Sequence, residues 1–115
     1  MGHLERAIDL ARQTRKIYRV QICAILAHKN RIISIGYPQA KTSPLQYKYR
    51  KNPEAIFIHA EIDAIAKASR YQNNLSKYIL YLARVDSEGS IKPIHPCSGC
   101  CKALSAFNIS RVYHT

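Results

Sequence analysis

His59-Ala60-Glu61 and, further along, Pro96-Cys97-Ser98-Gly99-Cys100 are the residues of this chain whose types and spacing can do chemistry. A catalytic zinc ion is held by three protein ligands drawn from His and Cys, with a fourth position left to water. His59, Cys97 and Cys100 can supply those three. Glu61 is then a carboxylate beside the metal that does not ligate it and is free to act as general acid and base. A zinc site that only holds a fold together closes all four positions with His or Cys. Cys101, His95 or His28 would have to provide the fourth ligand, and Glu61 would have no purpose there.

The elements that must position these groups follow from periodicity. Ile58, Ile62, Ile65, Ala66 and Ser69 mark one face of a helix from about 59 to 72, preceded by the extended segment Ala55 to Ile58. Ala60, Ala64 and Ala68 would let it approach a sheet closely. Cys97 and Cys100 fall in the first turn of a later helix carrying Ala103, Leu104 and Phe107, with Pro96 at its start. Cysteines three apart share a helix face, so both sulfurs can meet one ion. Two helix N-termini aimed at the site add partial positive charge and favour thiolates. Residues two apart in mid-helix do not face each other. His59 must therefore stand at the helix start if Glu61 is to reach the metal.

Elsewhere, Leu4, Ala7, Ile8 and Ala11 predict an amphipathic helix over 3–16. Val20 to Ala27 and Arg31 to Ile35 read as strands joined by a Lys29-Asn30 turn, the second ended by Gly36 and Pro38. Residues 37–57 form a long connection carrying Tyr47-Lys48-Tyr49-Arg50-Lys51. There Tyr47 and Tyr49 would stack on bases and Arg50 would meet phosphate, or the tyrosines simply pack on the domain surface. Tyr78 to Val85 is a strand, Asp86 to Gly89 a turn, and Arg111 to His114 a last strand. The order α-β-β-α-β-α-β implies an α/β fold with a mixed sheet flanked by helices, ending after a fourth strand.

Composition bounds the rest. A chain of 115 residues is expected to form one domain, 1–115. No stretch approaches the ~20 apolar residues of a membrane span. The segment from His3 to Lys16 is charged, unlike a secretion signal, and Arg6 stands where a myristoylation signal wants Ser or Thr. A cytoplasmic location without a membrane partner is the expectation. Cys97, Cys100 and Cys101 crowd together as metal ligands do in a reducing compartment. The two-residue spacer favours Cys97 with Cys100 over Cys101, and Cys23 reads as a buried small hydrophobe. The net charge of +11 favours anionic partners, whether a nucleotide or single-stranded DNA or RNA, or else merely keeps the surface soluble.

His59-x-Glu61 with Pro96-Cys97-x-x-Cys100 matches a known signature and resembles the zinc-dependent cytidine and deoxycytidylate deaminase superfamily. More narrowly, Lys41 to Gln46, Asn52 to Ile65, Cys100 to Phe107 and Ile109 to Val112 resemble small phage-encoded deoxycytidylate-deaminase-like proteins. The resemblance implies a cytidine-deaminase-like fold in which His59, Cys97 and Cys100 bind Zn2+ and Glu61 shuttles protons. It also implies that the Ala60 backbone N–H binds the base carbonyl. The product would be uracil from a cytosine nucleotide, foremost deoxycytidylate, in the host cytoplasm if the protein is viral. The alternatives are a cytosine deaminase of single-stranded DNA or RNA, and an inert zinc-containing nucleic-acid-binding module, against which the intact Glu61 argues. Pocket shape rather than the zinc signature chooses between cytosine and adenine.

Two departures stand out. Relatives carry a sugar-binding Asn in a Gly-x-Asn setting after the second strand, where this chain has Gly36-Tyr37-Pro38, so that either Gln39 substitutes or sugar recognition differs. Relatives also add a further helix and strand, so the sheet edge here would be open or covered in a homo-oligomer. His95 would line the base pocket or else is a loop histidine with no role, and Tyr113 and His114 would reach the same rim.

Overall fold

Strand β1 (Gln21–His28) buries Cys23, Ile25 and Ala27 on one face and Ala24 and Leu26 on the other. A strand apolar on both sides belongs in the middle of a covered sheet. In this computed structural model, which describes residues 2–14, 21–39, 44–49 and 58–115, that is where it lies. β2 (Arg31–Gly36) and β3 (Ile79–Val85) flank it, both antiparallel. The outer edge of β3 is shared by two short strands. β4 (Ile91–Lys92) pairs antiparallel with Arg84 and Val85, and β5 (Val112–His114) pairs parallel with Leu80 to Leu82.

Helix α1 (His3–Gln13) covers one face of the sheet, setting Ala7 and Ala11 against Cys23, Ile25, Ala83 and Val85. Helices α3 (Ala60–Ser69) and α4 (Ser98–Ala106) cover the other, where Ile62, Ile65, Ala103 and Leu104 meet Ala24, Leu26, Leu80 and Leu82. The result is a mixed sheet between helical layers, the α/β class expected.

β2 and α3 are clasped at four points. A Cβ on Gly36 would overlap the carbonyl oxygen of Ala60 and the amide of Ala64, so the strand end and the helix meet backbone to backbone. Ser34 Oγ donates to Ala64 O at 2.8 Å, and Lys67 Nζ donates to Ile35 O at 2.9 Å. Asp63 Oδ2 accepts from the Tyr37 amide at 3.0 Å and from Lys67 Nζ at 2.9 Å. This clasp fixes the N-terminus of α3 against the segment that leaves β2.

The structure corrects several boundaries. The first helix stops at Gln13 with a Thr14 C-cap, and residues 15–20, with the expected start of the first strand at Val20, lie outside the described residues. The connection of residues 37–57 holds a short helix, α2 (Pro44–Tyr49), which Pro44 can open because a missing N–H costs nothing in a first turn. Beyond Gly89, whose φ of 87° makes the turn, Ile91 and Lys92 form β4, a strand too short for its alternation to be read. The sheet therefore has five strands rather than four. Pro96 precedes the cap of α4 instead of occupying its first turn. Lys41 to Ser43, Arg50 and Asn52 to Phe57 lie outside the described residues.

Candidate metal centre and its cavity

Both ends of the split motif fall on helix caps. His59 is the N-cap of α3, with extended φ −81° and ψ 158°, and its side chain makes no capping bond. The imidazole is thus turned to other partners, and the geometric condition on Glu61 is met. Cys97 is the N-cap of α4, its sulfur accepting the Cys100 amide at 3.4 Å in the place of the usual capping oxygen. Cys100 follows one turn on, fully buried.

The three donors converge. His59 Nδ1 lies 3.3 Å from Cys100 Sγ and 3.6 Å from Cys97 Sγ, and all three donor atoms lie within 4.8 Å of one another. Around a tetrahedral zinc with bonds of about 2.3 Å to sulfur and about 2.05 Å to nitrogen, such atoms stand about 3.6 Å apart. The donor set and spacing fit zinc. Cys101 points away, exposed, with its thiol 3.7 Å from Pro96 O. His28 packs edge-on to Tyr78 at 6.3 Å.

Without a metal the electrostatics favour the deprotonated form at Cys97 and the protonated form at Cys100 and His59. The Cys97 thiol is brought down to about 3 by hydrogen bonds from Cys100 and His59, which outweigh its partial burial. Cys100, facing that thiolate and buried, is pushed up, so the pair shares one proton when no metal is bound. His59 is raised by its hydrogen bond to Cys97, against the effect of burial. Glu61 is buried and its carboxyl is raised above the usual carboxylate range by that burial, only partly offset by its own backbone amide and by the Cys100 thiol.

These groups open onto a cavity of about 320 Å³ lined by Ile22, Pro38, His59, Ala60, Glu61, Ile94, His95 and Cys97. That volume sits at the small end of ligand sites, suited to one planar base. Ala60 is the first helical residue of α3, and its amide has no intrahelical acceptor. His95 is exposed on the cavity rim, its ring 4.4 Å from His114. Strand alternation separates the two C-terminal rim candidates: His114 lies on the cavity face, whereas Tyr113 stacks on Tyr81 at 5.6 Å on the α1 face.

Gln39 donates its backbone N–H to Ile58 O at 3.0 Å, and its side-chain Nε2 is 3.4 Å from Asp63 Oδ2, so its amide is turned to the clasp. Tyr49 is half-buried against the α3–α4 core, and Tyr47 is 58% exposed on α2; neither lines the cavity. Ile22, Pro38 and Ile94 line it without having been singled out as binding residues, because apolar wall residues carry no chemical signature in a sequence.

A profile of the cytidine and deoxycytidylate deaminase zinc-binding region matches residues 2–115. No curated protein sequence matches significantly. Solved structures do. Guanine deaminase from Bacillus subtilis aligns with 100% of this chain and 64% of its own, at 24% identity and TM-score 0.66. A tRNA:A34 deaminase that edits A to I at the wobble position aligns over 96% and 72%, at 26% identity and TM-score 0.62. The dCMP deaminase of cyanophage S-TIM5, in complex with dCMP and dUMP, aligns over 97% and 76%, at 19% identity and TM-score 0.66. The chain thus spans less than two thirds of the Bacillus subtilis enzyme's length.

Proposed function

This chain belongs to the cytidine and deoxycytidylate deaminase zinc-binding family, and on that premise we propose that it is a hydrolytic deaminase acting on a cytosine nucleotide, with deoxycytidylate as substrate. The observation that carries the reading is the convergence of His59 Nδ1 and the sulfurs of Cys97 and Cys100 beside the buried carboxyl of Glu61 on one small cavity.

His59, Cys97 and Cys100 would hold the zinc ion. When bound, zinc brings the pKa of water near ~7 and so makes a nucleophile available at neutral pH. The remaining work falls to the chain's own residues. Glu61 takes one proton from the water and delivers it to N3 as the oxygen bonds to C4, then takes the second from the new C4–OH and delivers it to the departing amino group, so that C4–NH2 and water become C4=O and ammonia. Its raised pKa suits a group that must both accept and return a proton near neutrality. The Ala60 amide, without an intrahelical acceptor at the start of α3 and on the cavity lining, would hold the base carbonyl, while Pro38 and Ile22 would confine the ring and exclude water.

Ammonia release from deoxycytidylate, deoxycytidine, CTP, guanine and cytosine-containing oligonucleotides, with Glu61→Ala as control, tests this. Turnover of deoxycytidylate that disappears in Glu61→Ala is expected. Turnover of oligonucleotide alone would instead establish the second reading, a polynucleotide deaminase, which the +11 net charge favours. No turnover of any substrate by the zinc-loaded protein would leave an inert module.

A further inference from the structure

The register of the sheet sets three residues abreast at the cavity end. Ile22 on β1 pairs with Arg84 on β3, and Arg84 pairs with Lys92 on β4. Directly opposed residues of antiparallel strands share a face. That face is the cavity's: Ile22 lines the cavity, and Leu82, two residues before Arg84, is buried in the α3–α4 core. With neighbouring strands ~4.8 Å apart, Arg84 stands one strand from the cavity wall and Lys92 two.

Arg84 is exposed, and its guanidinium has no hydrogen-bond or ion-pair partner among the described residues. Lys92 Nζ leans on Asp86 Oδ2 at 3.7 Å. Like charges directly opposite across a ladder are destabilising; Asp86 offsets that repulsion at Lys92, and an anion over Arg84 would offset it at the guanidinium. A guanidinium matches phosphate oxygens in bidentate fashion, and an ammonium adds a point charge.

We propose that Arg84, supported by Lys92, binds the phosphate of the nucleotide whose base enters the cavity. The assignment rests on the reading of the chain as a nucleotide deaminase and extends it: the β3–β4 hairpin, not the metal motif, selects nucleotide over nucleoside.

The test compares wild type, Arg84→Gln, Arg84→Lys and Lys92→Gln on deoxycytidylate, deoxycytidine and a cytosine-containing oligonucleotide, with zinc content and Tm recorded for each. Arg84→Gln should lower kcat/KM for deoxycytidylate roughly 10- to 100-fold, the range for a lost charge-assisted bond, mainly through KM. The ratio of kcat/KM for deoxycytidylate over deoxycytidine should fall towards one. Arg84→Lys should recover part of it, and Lys92→Gln should cost less. A loss confined to the oligonucleotide would support the phosphate site and assign it to a polynucleotide. An Arg84→Gln protein that keeps zinc, Tm and the wild-type ratio overturns the assignment. Calorimetric titration of deoxycytidylate into wild type and Arg84→Gln decides the same point even if nothing is turned over, since equal affinities would refute Arg84 while leaving the deaminase reading to its own assay.

Discussion

Glu61 is 5% exposed and carries its carboxyl into the α3 layer beside two sulfurs. Burial raises its pKa, so without metal the folded chain holds a proton that the unfolded chain releases at a lower pH. Linkage then makes Glu61 a destabilising group above its folded pKa and a neutral one below the ordinary carboxylate value. Thermal melts of metal-free Glu61→Gln should therefore show a higher Tm than metal-free wild type at pH 7, with the gain shrinking as pH falls towards 4. In the zinc-loaded protein the same substitution should lower kcat by about 10²–10⁴, the range for a lost general acid–base group, with zinc retained. The sulfurs divide as sharply. Cys97→Ser and Cys100→Ser should lose zinc by elemental analysis and melt lower, whereas Cys101→Ser, altering an exposed thiol turned to Pro96 O, should keep both zinc and Tm.

At the scale of elements, the site depends on how α3 lies on β2. Gly36 allows the backbone contact with Ala60 and Ala64, and Ala60 stands between His59 and Glu61. Gly36→Ala should destabilise the fold by at least the ~1–3 kcal/mol typical of overpacking, since the obstructing atoms are backbone. It should also weaken zinc retention by displacing the helix start, and denaturant melts with zinc titration read both. Asp63 works from the other side. By holding the Tyr37 amide and Lys67, it stations Pro38 on the cavity wall. Asp63 stands two residues beyond Glu61 in the sequence, but nothing local marks it as buried or says that a partner comes from the end of another strand.

For the whole molecule, the +11 charge and the small cavity make different demands. If one phosphate is engaged, raising salt from about 50 to about 200 mM should weaken deoxycytidylate binding only about threefold. Engagement of about four phosphates of a single strand would weaken oligonucleotide binding roughly fifty-fold. The two salt slopes therefore show how many of the basic groups are used. The sequence alone determined the donor set, the carboxylate two residues from its histidine, the main strands and the three long helices, because ligand chemistry, helical periodicity and apolar runs are local properties of the chain. The same local rules missed α2 and β4, which are too short to display a period. Tertiary structure alone decided that the capped starts of α3 and α4 meet, bringing His59 within 3.6 Å of both sulfurs. It also turned Gln39 towards Asp63 and brought Arg84 and Lys92 abreast of Ile22. Those outcomes follow from strand register and from the backbone contact at Gly36, which join residues far apart in the chain and leave no trace in the spacing of either partner alone.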